Sequence, residues 1–176
     1  AIVYAGLWES RQGPWENAAW SGTNGGLYKS TDGGTTWHEL HLFAPAPADS
    51  SKPEQIVQVN LAVAPSDPRR LYAVVALARG TALFRSDDSG ATWTRLPDGR
   101  PAGRIGGGDL PRLAVHPTDP DTVFVASTVS WKSTDGGRTF RAFKGAPGGD
   151  DYQNLWLNPS NPDIILYASA QGAVIT

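Results

Sequence analysis

The sequence predicts an all-β chain built from repeated four-stranded antiparallel units. Three observations carry this. Gly (20) and Pro (14) punctuate the 176 residues at short intervals, as many short strands joined by turns require. Every stretch with helical character is interrupted by Gly or Pro within two turns. Two different strings each recur three times, out of phase with one another.

The first string is Leu27-Tyr28-Lys29-Ser30-Thr31-Asp32-Gly33-Gly34-Thr35-Thr36-Trp37. It returns as Leu83 to Trp93 and as Ser130 to Phe140, with the shared core Ser-x-Asp-x-Gly-x-Thr-aromatic. The second is Leu61-Ala62-Val63-Ala64-Pro65-Ser66-Asp67-Pro68, returning as Leu113 to Pro120 and Leu155 to Pro162. Each copy of the second string precedes a β-type run: Leu71 to Val75, Thr122 to Ala126, and Ile164 to Ala168. In order, strand one is the Leu-Ala-Val type, closed by a Pro-x-x-Pro turn. Strand two is the Tyr-Ala-Val type, and strand three the Leu-Tyr-Lys-Ser type, leading into the Asp hairpin. Strand four follows the aromatic, from Trp37 to Leu40 and from Trp93 to Leu96. A four-stranded unit repeated every ~40–50 residues marks the blade of a β-propeller.

The hairpin has its own physical logic. The carboxylates of Asp32, Asp88 and Asp135 are expected to accept backbone N–H groups in an Asx-type turn opened by Ser30, Ser86 and Ser133. Gly34, Gly90 and Gly137 supply the positive φ that the turn needs. Trp37, Trp93 and Phe140 are expected to pack back across the hairpin into the blade.

These residues resemble the Asp-box (BNR) repeat shared by sialidases, xyloglucanases and sortilin-type propellers. Tyr4-Ala5-Gly6-Leu7-Trp8-Glu9-Ser10-Arg11 with Pro14-Trp15, and Lys144 to Tyr152, are further similar to large secreted bacterial proteins of the sortilin-like group. The resemblance implies an extracellular, periplasmic or cell-surface setting. Sialidases carry an early Arg-Ile-Pro motif, which Arg104-Ile105-Gly106 only half matches, so no arginine role carries over. Xyloglucanases use two aspartates from two facing propellers, of which this segment can supply one. Sortilin-type propellers bind peptides in a wide tunnel, and their cysteine-rich module has no counterpart here.

Residues 61–96 and 113–143 each hold all four strands, 1–40 hold strands two to four, and 153–176 hold strands one, two and the start of three. The chain opens on Ala1-Ile2-Val3-Tyr4, which is expected to be strand rather than signal peptide. The expectation is an incomplete segment of a larger propeller that continues past both ends, so that the remaining blades of the same polypeptide are its first partner.

In a meander, the one-to-two turns and the three-to-four hairpins share a face. The two-to-three and four-to-one connections share the opposite face and include the long ones: 8–25, 41–60, 97–111 and 144–153. Long loops in a compact repeat point to function. The first carries Trp8, Glu9, Arg11, Trp15, Glu16 and Trp20, aromatic and polar groups suited to stacking on sugars or gripping a peptide. Asp150, Asp151 and Tyr152 precede or enter an innermost strand, and Asp109 enters the preceding one in the same way. Glycosidases need two carboxylates ~5–10 Å apart, and strand neighbours point to opposite sides. Asp109 is therefore the candidate partner for Asp150 or Asp151, with Tyr152 a candidate ligand contact.

Composition removes several classes. With 15 Lys+Arg against 17 Asp+Glu, no basic nucleic-acid groove is expected, and no apolar run reaches membrane-span length. The absence of cysteine excludes disulfides and thiolate chemistry. His38, His41 and His116 lack ligand spacing, and one carboxylate per hairpin is too few for calcium, so no metal or cofactor is expected. The leading functional expectation is a binding propeller for glycan or polypeptide on the long-loop face. The alternatives are a glycoside hydrolase completed by residues outside the segment and a structural or assembly module.

Overall fold

The computed structural model describes residues 1–8, 25–43, 56–77, 80–97, 110–145 and 151–176. Regular structure among them is all β, in four antiparallel sheets. The first sheet holds β1 (Val3–Leu7), β2 (Gly26–Ser30) and β3 (His38–Leu40). The second holds β4 (Ile56–Val63), β5 (Leu71–Leu77), β6 (Gly80–Ser86) and β7 (Thr94–Arg95). The third holds β8 (Arg112–Val115), β9 (Val123–Ala126), β10 (Ser130–Ser133) and β11 (Arg141–Lys144), and the fourth β12 (Tyr152–Leu157), β13 (Ile165–Ser169) and β14 (Gly172–Ile175). Each sheet is a plain meander whose spatial order is its chain order.

The register repeats from sheet to sheet. Val3 pairs with Ser30, Leu71 with Ser86 and Val123 with Ser133, so each hairpin serine sits opposite the start of strand two. Val63 pairs with Leu71, Val115 with Val123 and Leu157 with Ile165, which fixes strand one on strand two in the same way. Any position can therefore be compared with its counterpart in the next sheet.

The sheets stack face to face, and the period-2 alternation of strand side chains feeds two interfaces at once. All seven residues of β5 are buried. Ala73, Val75 and Leu77 join Leu27, Val59 and Phe84 in a core with the first sheet. Tyr72, Val74 and Ala76 join Leu96, Val115, Val123 and Val125 in a core with the third. A third core between sheets three and four gathers Phe124, Tyr152, Leu155, Leu157, Ile165 and Tyr167. The apolar run Leu71 to Leu77 is continuous because neither face of that strand meets water.

The first strands touch in a row, β4 against β8 and β8 against β12, as the inner strands of propeller blades do. β4 starts at Ile56, earlier than the Leu61 string, because Ile56, Val57 and Val59 are buried between sheets one and two and sheets two and three. The first sheet approaches β4 so closely that a Cβ at Gly6 would lie 2.9 Å from the Val59 carbonyl oxygen. Only glycine permits that contact.

Candidate functional site

The turn face is closed by its own hydrogen bonds. In the first hairpin the Ser30 hydroxyl donates to Asp32 Oδ1 at 2.7 Å and accepts the Gly34 N–H at 2.8 Å. The Asp32 carboxylate also accepts the Thr36 N–H at 2.9 Å and the Thr36 hydroxyl at 2.6 Å. The same set recurs around Ser86, Asp88, Gly90 and Thr92, and around Ser133, Asp135, Gly137 and Thr139. Gly34, Gly90 and Gly137 have φ of 100°, 87° and 85°. A carboxylate fed by several donors is favoured in its charged form. The Thr36 hydroxyl and N–H, followed by the Ser30 hydroxyl, hold Asp32 far below the ordinary carboxylate range. The Thr139 hydroxyl and N–H lower Asp135 to about 2.

Each hairpin is also fastened to the turn of its own sheet. Gly33 N–H donates to Ala1 O at 3.0 Å, Ser89 N–H to Arg69 O at 2.9 Å, and Gly136 N–H to Asp121 O at 2.9 Å. The carbonyls of Ser89 and Gly136 then face the preceding sheet. Lys29 Nζ donates to Ser89 O at 2.9 Å, and Arg85 to Gly136 O at 3.2 Å. Tyr72 adds its hydroxyl to Pro120 O at 2.8 Å, while Arg70 pairs with Asp87 and Asp121. The carboxylates of Asp32, Asp88 and Asp135 are thus engaged by donors within their own hairpins.

The inner strands carry a different set of bonds. Midway along β4, Asn60 Nδ2 donates to Pro111 O at 3.0 Å. Arg112 occupies the equivalent place in the next sheet, and its Nε donates to Gln153 O at 3.3 Å. Its NH1 also reaches back to Asn60 Oδ1 at 3.1 Å. Neither residue stood out in the sequence. The available signal was a polar residue directly before each Leu-Ala-Val type string: Asn60, Arg112 and Asn154.

Trp8 is 48% exposed and lines an open cleft of about 550 Å³ with Ile2, Val3 and Gly6 of the first sheet and Val59, Asn60 and Leu61 of β4. Asp151 precedes β12 with a positive φ of 53°. Among the described residues the other non-glycine with positive φ, Ser89, stands where the other two hairpins carry Gly33 and Gly136. Asp151 has no such glycine counterpart, and non-glycine backbone in this region concentrates at functional sites. Tyr152 differs from expectation. Its side chain is fully buried, 5.1 Å from the Tyr167 ring, so it belongs to the core rather than to a ligand surface. Glu9, Arg11, Trp15, Glu16, Trp20, Asp109 and Asp150 lie outside the described residues. Among the described residues no three His, Asp or Glu side chains gather as a metal site, and no helix is long and apolar enough to cross a membrane.

Stacked antiparallel meander sheets of three or four strands, with inner strands in a row, define a β-propeller. In comparison with known proteins the chain is similar to propellers of glycoside-hydrolase type. A xyloglucanase from Paenibacillus sp is 32% identical over 150 residues, covering 73% of this chain and 14% of that enzyme. The GH74 xyloglucanase from Xanthomonas campestris superposes with a TM-score of 0.63 at 20% identity, over 86% of this chain and 26% of the other. YCF48 bound to D1 peptide superposes with a TM-score of 0.54 at 16% identity, over 85% of this chain and 42% of the other. The two structural likenesses show the fold. No family model matches the chain. The chain thus spans a small part of its enzyme relatives, and those relatives favour the hydrolase alternative over the binding scaffold expected first.

Proposed function

We propose that this chain forms blades of a xyloglucanase-like glycoside hydrolase and that its long-loop face meets the glycan. The supporting observation is the 32% identity to a xyloglucanase over 150 residues. The hairpin hydrogen bonds support reading the repeats as Asp-boxes, and the relatives suit a secreted protein. Glycan hydrolysis requires a carboxylic acid and a second carboxylate. Asp109, Asp150 and Asp151 are the candidates, and the positive φ of Asp151 singles it out among the described residues. The test is reducing-sugar release from xyloglucan by the polypeptide carrying these blades. Release that drops at least ~100-fold in Asp109→Asn, Asp150→Asn or Asp151→Asn supports the reading, a loss in the range typical of general acid–base groups. No release from a folded protein removes it.

A second reading is glycan binding without chemistry, favoured by the exposed indole of Trp8 over the cleft beside β4. Quenching or a blue shift of tryptophan fluorescence by xyloglucan oligosaccharides, absent in Trp8→Ala, supports it.

A further inference from the structure

Successive sheets are stitched along their inner strands by one donor each. Asn60 and Arg112 occupy the same register position, since Asn60 pairs with Val74 and Arg112 with Ala126. Each donates to the carbonyl just before the equivalent residue of the next sheet, Pro111 or Gln153. At Asn60 a neutral amide performs this task. The stitch therefore needs a single N–H and no charge.

Arg112 brings a full guanidinium to that position. Among the described residues two of its five N–H groups find acceptors, and both acceptors are neutral: the Gln153 carbonyl and the Asn60 amide oxygen. Asn60 is itself fixed, because its Nδ2 donates to Leu110 O and Pro111 O, which turns Oδ1 towards Arg112. The fork is thus held from both sides. Arg112 is exposed. The contrast with other arginines of the sheets is direct. Arg69, Arg70 and Arg85 each pair with an aspartate on the turn face. Among the described residues no carboxylate pairs with Arg112.

We propose that Arg112 is a carboxylate-binding residue at the start of the inner strand β8, and that its ligand is an acidic sugar unit, a uronate, within a glycan. A pre-oriented guanidinium whose Nη2 engages no acceptor among the described residues offers a carboxylate charge-assisted hydrogen bonds. A neutral sugar hydroxyl offers neither the charge nor the second oxygen. The sugar part of this inference rests on the glycoside-hydrolase reading above, while the carboxylate part stands on the Arg112 geometry.

The test is calorimetric titration of the full chain with tetragalacturonate and with its carboxyl-reduced, neutral counterpart. The acidic form is expected to bind at least ~10-fold more tightly, equivalent to about 1.4 kcal/mol. Arg112→Gln abolishes the preference. Arg112→Lys, which keeps the charge and loses the fork, retains a reduced one, and this variant decides the matter if Arg112→Gln lowers the melting temperature. Equal binding of the two forms, binding of neither, or a preference that survives in Arg112→Gln overturns the proposal. So does an acidic peptide that binds through Arg112 where tetragalacturonate does not. Xyloglucan hydrolysis without any uronate preference removes this inference and leaves the glycoside-hydrolase reading intact. Arg112-dependent uronate binding without hydrolysis does the reverse.

Discussion

The first hairpin and the two that follow it share a core set of internal bonds and have different surroundings. Around Ser86 and Ser133 the hairpin glycine is buried against the outer strand of the preceding sheet: a Cβ on Gly90 would meet Leu40 Cδ1 at 2.7 Å, and one on Gly137 would meet Leu96 Cδ1 at 2.6 Å. Around Ser30 the corresponding Cβ on Gly34 meets only the hairpin's own Trp37, at 3.7 Å. The aromatics follow suit. Trp93 and Phe140 pack on the intersheet cores, while Trp37 is 41% exposed, although the indole N–H donates to the hairpin glycine carbonyl in both tryptophans, at 3.0 Å from Trp37 and 3.1 Å from Trp93. Shape is thus set inside each hairpin, and packing is supplied from outside it.

The largest effect expected from this contrast is at the glycines. Alanine at any of the three meets the same backbone strain, about 1–2 kcal/mol for a left-handed L-residue. At Gly137 the new methyl must also displace Leu96, which adds about 1–3 kcal/mol of overpacking. Urea unfolding should therefore rank Gly137→Ala and Gly90→Ala well below Gly34→Ala in stability. Equal losses at all three positions would mean that the intersheet seat contributes nothing.

Next in size are the serines. Ser133→Ala and Ser86→Ala strand a buried glycine N–H, at a cost of about 1–3 kcal/mol. Ser30→Ala exposes a half-buried N–H that water can reach, so a smaller loss is expected. Unfolding midpoints of the three variants measure how far each hairpin is sealed by its neighbour.

How far the sequence anticipates all this follows the range of the interactions. The hairpin bonds join residues two to four apart, so the Ser-x-Asp-x-Gly spacing implied them directly. The meander followed from strings that repeat in order. The burial of Tyr152 did not follow, because its neighbours Phe124 and Tyr167 come from other strands. Nor did the exposure of Trp37, which shares its motif position with two packed aromatics and differs only in what lies beside it. The Arg112 stitch joins residues 52 and 41 positions apart, and no local pattern encodes such a contact. Of the candidate site, alternation led to the long-loop face as an expectation, and the Arg112 contacts had no local pattern to announce them.

The aspartates give the subtlest comparison. If the hairpin is self-contained, losing its intersheet seat should not weaken the hold on its carboxylate. Asp32 is the better supplied of the pair, accepting the Thr35 N–H at 2.9 Å in addition to the donors it shares with Asp135. Both carboxyls should then titrate below the ordinary 3.8, with Asp32 no higher than Asp135 at about 2. Because the folded pKa is depressed, the charged form favours folding. The Asp135 contribution is fully present above about pH 3.8 and is lost as the pH falls through about 2. Carboxyl ¹³C shifts followed through an acid titration read each site separately. An Asp32 midpoint near the ordinary value, beside a depressed Asp135, would show that the neighbouring sheet holds the hairpin network together and that the hairpin alone cannot.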